Sequence, residues 1–452
     1  MFLPILESKF YILKEVNMED KELDENVENK LVEQQETTKS KKKLYITIAS
    51  VVAFIVALTV VLLIVLIPNQ NNLLMTGVGT YDDPYVLRIG KHLKKISEDM
   101  DAYYELGNDI DLGGQIWTPI FDFENQKDFS GSFDGKGHTI SNFILEDNSD
   151  ITIGIFSGIE QGGIIKNVII EPVVRSMQFE SQGVILGFLC GINLGTIENV
   201  KIEGDVSIYC YSRVESVCEI GTIAGVNQGK ILASKSVCNI GVSGDNIIVG
   251  GIVGRNDSNA TIEMVESVGA VNGIGGAYAD IPAYVGGVAG SNKGTIKYAC
   301  NAGIVYGRYA AYVGGIAGSN SSGRISYSFN QGNVGNQYNT SDKPMVGGLV
   351  GWQSSGASIS RCYNSGVVYA SGAYCGGIVA GSYQSSISNT YWLYSSSGLA
   401  VDGEYSGASG CTKCTTFNSL HNNSTLAVLN GGLSIPVFKI NSRFGIVFTW
   451  QN

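Results

Sequence analysis

A chain of 452 residues with 16% charged side chains and 58 glycines has the composition of a turn-rich β array and not that of a helical enzyme. Its formal net charge of −11 excludes the basic face that phosphate binding requires, so nucleic acid is not an expected partner. The length is enough for one large elongated domain and an anchor.

Residues 1 to 43 come first. From Met18 they read MEDKELDENVENKLVEQQETTKSKKK, a charged stretch without Gly or aromatic residues. Such a stretch has too little apolar area to offset its ordering entropy, so a disordered cytoplasmic segment is expected. Translation from Met1 or from Met18 fits the sequence equally well.

Leu44 to Ile67 is an uncharged apolar run of 24 residues, enough to cross a ~30 Å hydrocarbon core as one transmembrane helix. The run is longer than the apolar region of a signal peptide and closes on Ile67-Pro68, without small cleavage-site residues. Lys39, Lys41, Lys42 and Lys43 precede it, and no Lys or Arg follows until Arg88. The positive-inside rule then puts the N-terminus in the cytoplasm and all that follows outside the cell. Residues 68 to 89 open with the polar NQNN spacer and read as a stalk leading into a cap. Within 90 to 145, Lys91 to Met100 spaces His92, Ile96 and Met100 on one side of an amphipathic helix.

Residues 146 to 410 repeat. The G-x-x-x-G core begins at Gly154, Gly187, Gly221, Gly250, Gly286, Gly314, Gly347 and Gly376, at spacings of 28 to 36 residues. YVGGVAGSNKGTIKYACNAGIV, from Tyr284, returns nearly unchanged from Tyr312. VGGVAGSN is too short and Gly-rich for a helix and reads as a strand. GTIKYACN alternates Ile296, Tyr298 and Cys300 against Thr295, Lys297 and Ala299, which predicts a second strand with one buried face. A third apolar run follows each N-x-G, whose Asn and Gly suit a tight corner. Three strands and three corners per unit make one coil of an all-β, right-handed parallel β-helix, or β-solenoid. Stacked coils would align Asn239, Asn301, Asn330 and Asn364 as a ladder, with Ile and Val stacked inside. Both ends of such a stack require caps, and residues 411 to 452, with a Leu-rich helix from Phe417 and the strand FGIVFTW, are expected to supply the C-terminal one.

The GG[IV]xGxN core, the GTI strand and the C-N-x-G corner resemble the GLUG repeat of bacterial surface proteins and of the N-terminal part of some immunoglobulin A peptidases. GTYDDPYVL, YYELGNDIDL and FSGSFDGKGHTISNFIL, between Gly79 and Leu145, extend the resemblance. It implies that the first helix and the NDIDL strand cover one end of the stack, and that the Leu429-Asn430 helix and Trp450 strand close the other. It implies no ligand, because proteins on this scaffold carry unrelated activities.

A search for chemistry gives few candidates. The three histidines, His92, His138 and His421, are far apart, and no H-E-x-x-H occurs, so the zinc peptidase chemistry of some relatives has no ligands here. A polysaccharide lyase or glycosidase would need paired acids, or Asp around calcium with a basic residue. Asp109, Asp111, Asp122, Asp128 and Asp134 are the nearest approach, each also readable as a turn or cap residue. Cys238 and Cys300 both precede a corner Asn and read as core thiols. Cys411 and Cys414, in CTKC, favour a local disulfide over zinc, their oxidation state being left open. Tyr306, Tyr309, Tyr338, Tyr369 and Tyr394 make a polar-aromatic surface suited to glycan or protein contact, or simply fill β positions. Asn256 and Asn320 head N-x-S sequons.

The sequence therefore predicts a single-span membrane-anchored surface protein. Its extracellular solenoid serves adhesion or surface interaction with a glycan or protein ligand, without catalysis, metal or cofactor. A carbohydrate-active enzyme on the same scaffold is the alternative, and a sensor with a cytoplasmic signalling tail is a third reading.

Overall fold

The computed structural model describes residues 39, 41–59, 75–145, 152–173, 176–179, 183–210, 217–275, 283–309, 311–335, 344–370, 374–395, 399–401, 410–431 and 433–451. Residues 1 to 38 with Met18, the second part of the expected span (60 to 67), the NQNN spacer and Tyr338 lie outside them, as does the side chain of Tyr394. The chain divides into two units, Met1–Asn72 and Leu73–Asn452. In the first, the 19-residue helix Lys41–Thr59 has a mean hydropathy of 1.7 and is long and apolar enough to cross a membrane. Its hydroxyls are satisfied within it: Thr47, Ser50 and Thr59 each donate to the carbonyl four residues earlier.

The second unit is a parallel β-solenoid of about eight turns. Its strands form sheets of 11, 16 and 17 members, pairing coil to coil in parallel. In one coil, Tyr284–Gly286 and Ala289–Asn292 lie on the 16-stranded sheet and Thr295–Lys297 on the 11-stranded sheet. Cys300–Asn301 and Val305–Arg308 follow on the 17-stranded sheet. Five short strands on three faces thus replace the expected three. One extra strand comes from a bend at Gly287 and Val288, which splits VGGVAGSN; the other comes from a left-handed corner at Tyr298 (φ 56°), repeated in successive coils at Asn167, Asn199, Ala233, Met264, Tyr327, Arg361 and Asn389. This corner ends the alternation expected through GTIKYACN. Ile296 and Ala299 point inward, whereas Cys300 points outward.

Inside, Ile197, Ile231, Ile262, Ile296, Ile325, Ile359 and Ile387 stack in unbroken register. They are buried, and burying each is worth about 1.5–3 kcal/mol. A single coil cannot bury them, so this stabilisation exists only through stacking.

The paired glycines are required for space. A Cβ on Gly286 would lie 1.8 Å from the Ala289 carbonyl oxygen, and one on Gly287 would lie 2.5 Å from Cγ of Asn301. The same holds at Gly315 against Asn330 (2.3 Å) and Gly348 against Asn364 (2.4 Å). Across the interior, the second Gly of these three pairs makes room for an asparagine, whereas Gly251 faces Ser267 and Gly377 faces Trp392. These asparagines form a ladder: Nδ2 of Asn301 donates to Oδ1 of Asn330 and Nδ2 of Asn330 to Oδ1 of Asn364, each at 2.7 Å. Asn239 is not part of it. It is exposed and pairs with Asp205, while Ser267 and Ser236 hold the register position of Asn301. Cys238 is likewise three places from the register of Cys300, which aligns with Glu266 and Lys235. The isoleucine stack sets this register, and a slip matching the two C-N-x-G segments would turn it out of the core.

A second, longer ladder runs through the Asn of the GxN core. Asn193, Asn227, Asn256, Asn292 and Asn320, all 0% exposed, pass side-chain hydrogen bonds from one to the next at 2.7–2.8 Å. The next coil places Gln353 in register with Asn320, and there the chain breaks. Nδ2 of Asn320 and Oε1 of Gln353 are buried without a partner, because the longer side chain reaches on to the Ser386 carbonyl.

At the N-terminal end, Gly90–Lys94 (α-helix) and Lys95–Glu98 (3-10 helix) bury His92, Leu93 and Ile96, and Met100 is buried in the turn that follows. Tyr85–Leu87, expected to belong to the stalk, already pairs in parallel with Tyr103–Leu106. The C-terminal segment departs from the end-cap expectation. After Cys411–Lys413 joins the last coil, two helices, Phe417–Leu420 and Asn423–Asn430, lead to an antiparallel hairpin of Phe438–Asn441 and Gly445–Phe448. The hairpin lies along the outer side of the stack. Phe438 and Phe448 pack over Phe329, whose ring stacks on Tyr363 at 4.8 Å. Gln451 reaches back to Glu266 at 2.7 Å. The outward row on this face shows why: it reads Lys201, Lys235, Glu266 and then Cys300, Phe329, Tyr363. It turns apolar where the hairpin covers it.

Two substitutions test the longer ladder by chemical denaturation. Asn292→Ala strands Nδ2 of Asn256 and Oδ1 of Asn320 and is expected to lower stability by about 2–4 kcal/mol. Gln353→Asn reconnects the broken step and is expected to raise it by about 1 kcal/mol.

Candidate functional site

The acidic residues singled out from the sequence are dispersed, and each is engaged by its own surroundings. Asp109 accepts hydrogen bonds from the Thr139 backbone N–H (3.0 Å) and from Nδ1 of His138 (3.1 Å), which hold its carboxyl below the ordinary range. Asp111 is likewise lowered by the Gly113 N–H and by Asn142. Asp122 closes its own turn through Asn125 and Glu124. Asp134 sits between Lys136 and Lys166 and accepts from Asn167. Only Asp128 is raised, by burial and then by Glu160. Among the described residues, no three acids, thiols or imidazoles are grouped to hold a metal ion.

The CTKC segment is an extended strand edge, which corrects the expected disulfide. Three residues of extended chain separate Cα atoms by about 10 Å, whereas a bridge needs less than ~7 Å. Cys411 packs against the main core and Cys414 against the outer hairpin cluster. Burial pushes the Cys411 thiol up to about 11. The sequons at Asn256 and Asn320 are also closed, since both side chains are interior ladder members. Of the histidines, His92 is buried in the N-terminal helix and His138 ties the first coils together through Asp109.

What the solenoid presents outward is most distinctive on the 16-stranded sheet. Tyr284 and Tyr312 are in register and their rings stack at 5.4 Å; Met345 follows in that register, and Trp352, from the adjoining strand, places its ring 6.0 Å from that of Tyr312. Burial raises both tyrosine hydroxyls above the ordinary value. The rings face one another along the stack and are half-buried. Beside them Ser291 and Ser319 share the register of Trp352. In the preceding coils Arg255 is held between Glu219 (2.5 Å) and Asp257 (2.5 Å). From there a groove of about 550 Å³, lined by Gln161, Leu194, Gln228, Asp257, Asn259 and Lys293, follows the adjoining corner. Sequence reasoning looked for tyrosines in the loops and missed this row; the repeated YVGG motif carried the signal. Of the loop tyrosines, Tyr306 is in register with Gly335, and a Cβ on Gly335 would lie 2.3 Å from the Tyr369 ring. Tyr309 lies under the Arg308 guanidinium. The structure does not bring these three together with the Tyr284 row.

No family model matches the chain. It is 29% identical over 204 residues to Halomucin from Haloquadratum walsbyi, across 43% of this chain and 2% of that one. It is also 29% identical over 196 residues to a chain of Evansella cellulosilytica provisionally named a Gly-rich membrane protein, across 42% of this chain and 22% of the relative. The chain thus spans less than a quarter of the length of these curated relatives. Among solved structures, one from Bacteroides ovatus, provisionally named an immunoglobulin A1 protease, aligns over 84% of this chain and 96% of its own. The identity is 18% and the TM-score 0.35.

Mass mapping of the unreduced protein, with free thiols blocked before digestion, is expected to find Cys411 and Cys414 both blocked. A peptide bridged between them would contradict the extended geometry of the CTKC strand.

Proposed function

We propose that the protein is a membrane-anchored surface solenoid that binds a glycan or protein ligand on its outer faces and performs no chemistry. The observation that carries this reading is the Tyr284, Tyr312 and Trp352 row, flanked by Ser291 and Ser319 and running on to the charged corner at Arg255. Such a row offers aromatic contact area at low entropy cost. The apolar helix Lys41–Thr59 is the anchor. The lysines before it favour a cytoplasmic N-terminus and an extracellular solenoid, and a relative named as a membrane protein supports the anchored reading. The repeat's resemblance to the GLUG motif of surface proteins points the same way.

The alternative, a carbohydrate-active enzyme, would act through acids on adjacent coils, for which Asp109, Asp111 and Asp134 are the residues to test. The detergent-solubilised protein, screened on glycan and matrix-protein arrays and assayed for product release from the same polysaccharides, separates the two readings. Binding without product is expected, with Tyr312→Ala and Trp352→Ala each weakening it about tenfold or more, the scale of an aromatic anchor. Released oligosaccharide would overturn the proposal.

A further inference from the structure

His421 has no part in the aromatic row, yet it is 8% exposed and sits where the C-terminal hairpin meets the stack. Its Nδ1 accepts a hydrogen bond from the Ile446 backbone N–H at 2.8 Å. A backbone N–H can only donate, so Nδ1 must keep its lone pair and Nε2 the proton. That Nε2 is buried without a partner. The ring lies 4.1 Å from the Phe417 ring and edge-on to Tyr363 at 5.5 Å. Gly445, at φ 77°, lies against it so closely that a Cβ there would come within 2.4 Å. The Tyr363 hydroxyl donates to the Ile446 carbonyl. Both polar groups of Ile446 are therefore held by side chains outside the hairpin.

Among the described residues, nothing around His421 favours an imidazolium. Tyr363, on the neighbouring strand, and Cys414, before the first helix, are both raised by burial and stay uncharged. The helices Phe417–Leu420 and Asn423–Asn430 carry no ionisable residue. Among the described residues, the charged groups of the hairpin and its neighbours are cations: Arg443 over Phe444, Lys439 bonded to the Thr449 carbonyl, Arg361 over Tyr327 and Lys413 over Trp392. The carboxylate at the far tip, Glu266, is taken up by Gln451 and Lys235. With burial as its cause, the His421 pKa falls to about 4.

We propose that His421 is a proton-released latch. A proton on Nδ1 abolishes the acceptor for the Ile446 N–H, and the hairpin Phe438–Phe448 leaves the outer row of Cys300, Phe329 and Tyr363. The undocked imidazole has its ordinary pKa of about 6.5, so the docked state binds fewer protons. Docking is therefore strongest above that value and is lost as pH falls through the window from 6.5 towards 4. The freed strip is apolar and aromatic, a surface hidden at neutral pH.

Cys300, 3% exposed beneath the hairpin, reports the opening in the full chain. The probe is pulsed labelling with dithiodipyridine at about pH 7 and about pH 4.5, read by peptide mass and scaled to a small-thiol standard at each pH. Labelling of Cys300 is expected to rise about tenfold at the lower pH, the scale of one released titrating group, while Cys190 and Cys362 in the main core stay protected. His421→Asn keeps an acceptor near the Nδ1 position without a titrating group and is expected to remove the rise. Glu266→Gln is expected to leave it in place. Protection of Cys300 at both pH values, or opening of Cys190 and Cys362 together with it, would overturn the latch, as would an unchanged rise in His421→Asn. Should His421→Asn leave Cys300 reactive at every pH, the wild-type profile decides: a midpoint between 4 and 6.5 supports the latch, and a flat profile overturns it.

Discussion

The structure depends on one constraint: every coil must place its backbone and its interior polar groups in register with the coils on either side. The isoleucine stack excludes an odd slip along the strands, which would turn it out of the core, but not a slip of two residues, because hydrophobic contact is non-directional. The two asparagine ladders do not tolerate either. Each buried amide donates to the next at 2.7–2.8 Å, and a slip would strand donors and acceptors in an interior without water. The glycine pairs follow from the same requirement, since only a residue without Cβ leaves room for Asn301, Asn330 and Asn364. What reads in the sequence as a Gly-rich motif is thus the imprint of an asparagine on another strand.

Much of the fold was legible because a repeat reports its own register. The period, the parallel stacking, the inward Ile and Val and the Asn301, Asn330 and Asn364 ladder all follow from aligned copies of one motif. The failures have physical causes as well. The corner at Tyr298 and its equivalents is left-handed, yet is filled by Asn, Ala, Met, Tyr and Arg, so no residue type marked it, and one strand was read where there are two. Asn239 and Cys238 were aligned by a C-N-x-G match of the kind found at Cys300, whereas the actual register follows the isoleucines three residues away.

The C-terminal segment shows a different limit. Its helix and aromatic strand were visible locally, but whether they cover the end or the side of the stack is a tertiary choice. The signal was the outward row that changes from Lys201, Lys235 and Glu266 to Cys300, Phe329 and Tyr363, readable only once the register is known. The same dependence explains the candidate surface. Tyr284 and Tyr312 meet because the stack aligns them, and Trp352, aligned with Ser319 on the adjoining strand, reaches across to Tyr312. Fold and surface are one argument here, whereas ligand chemistry is carried by the outward side chains alone.

Register is therefore the quantity to measure first. Thr261 and Thr295 are half-buried, outward partners on adjacent coils, and parallel neighbours lie about 4.8 Å apart, within reach of a disulfide. Oxidation of the Thr261→Cys, Thr295→Cys double variant is expected to give a near-complete intramolecular bridge, whereas Thr261→Cys paired with Ile304→Cys, outward on another face, gives none. Bridging of the second pair but not the first would contradict the coil-on-coil register on which the account rests.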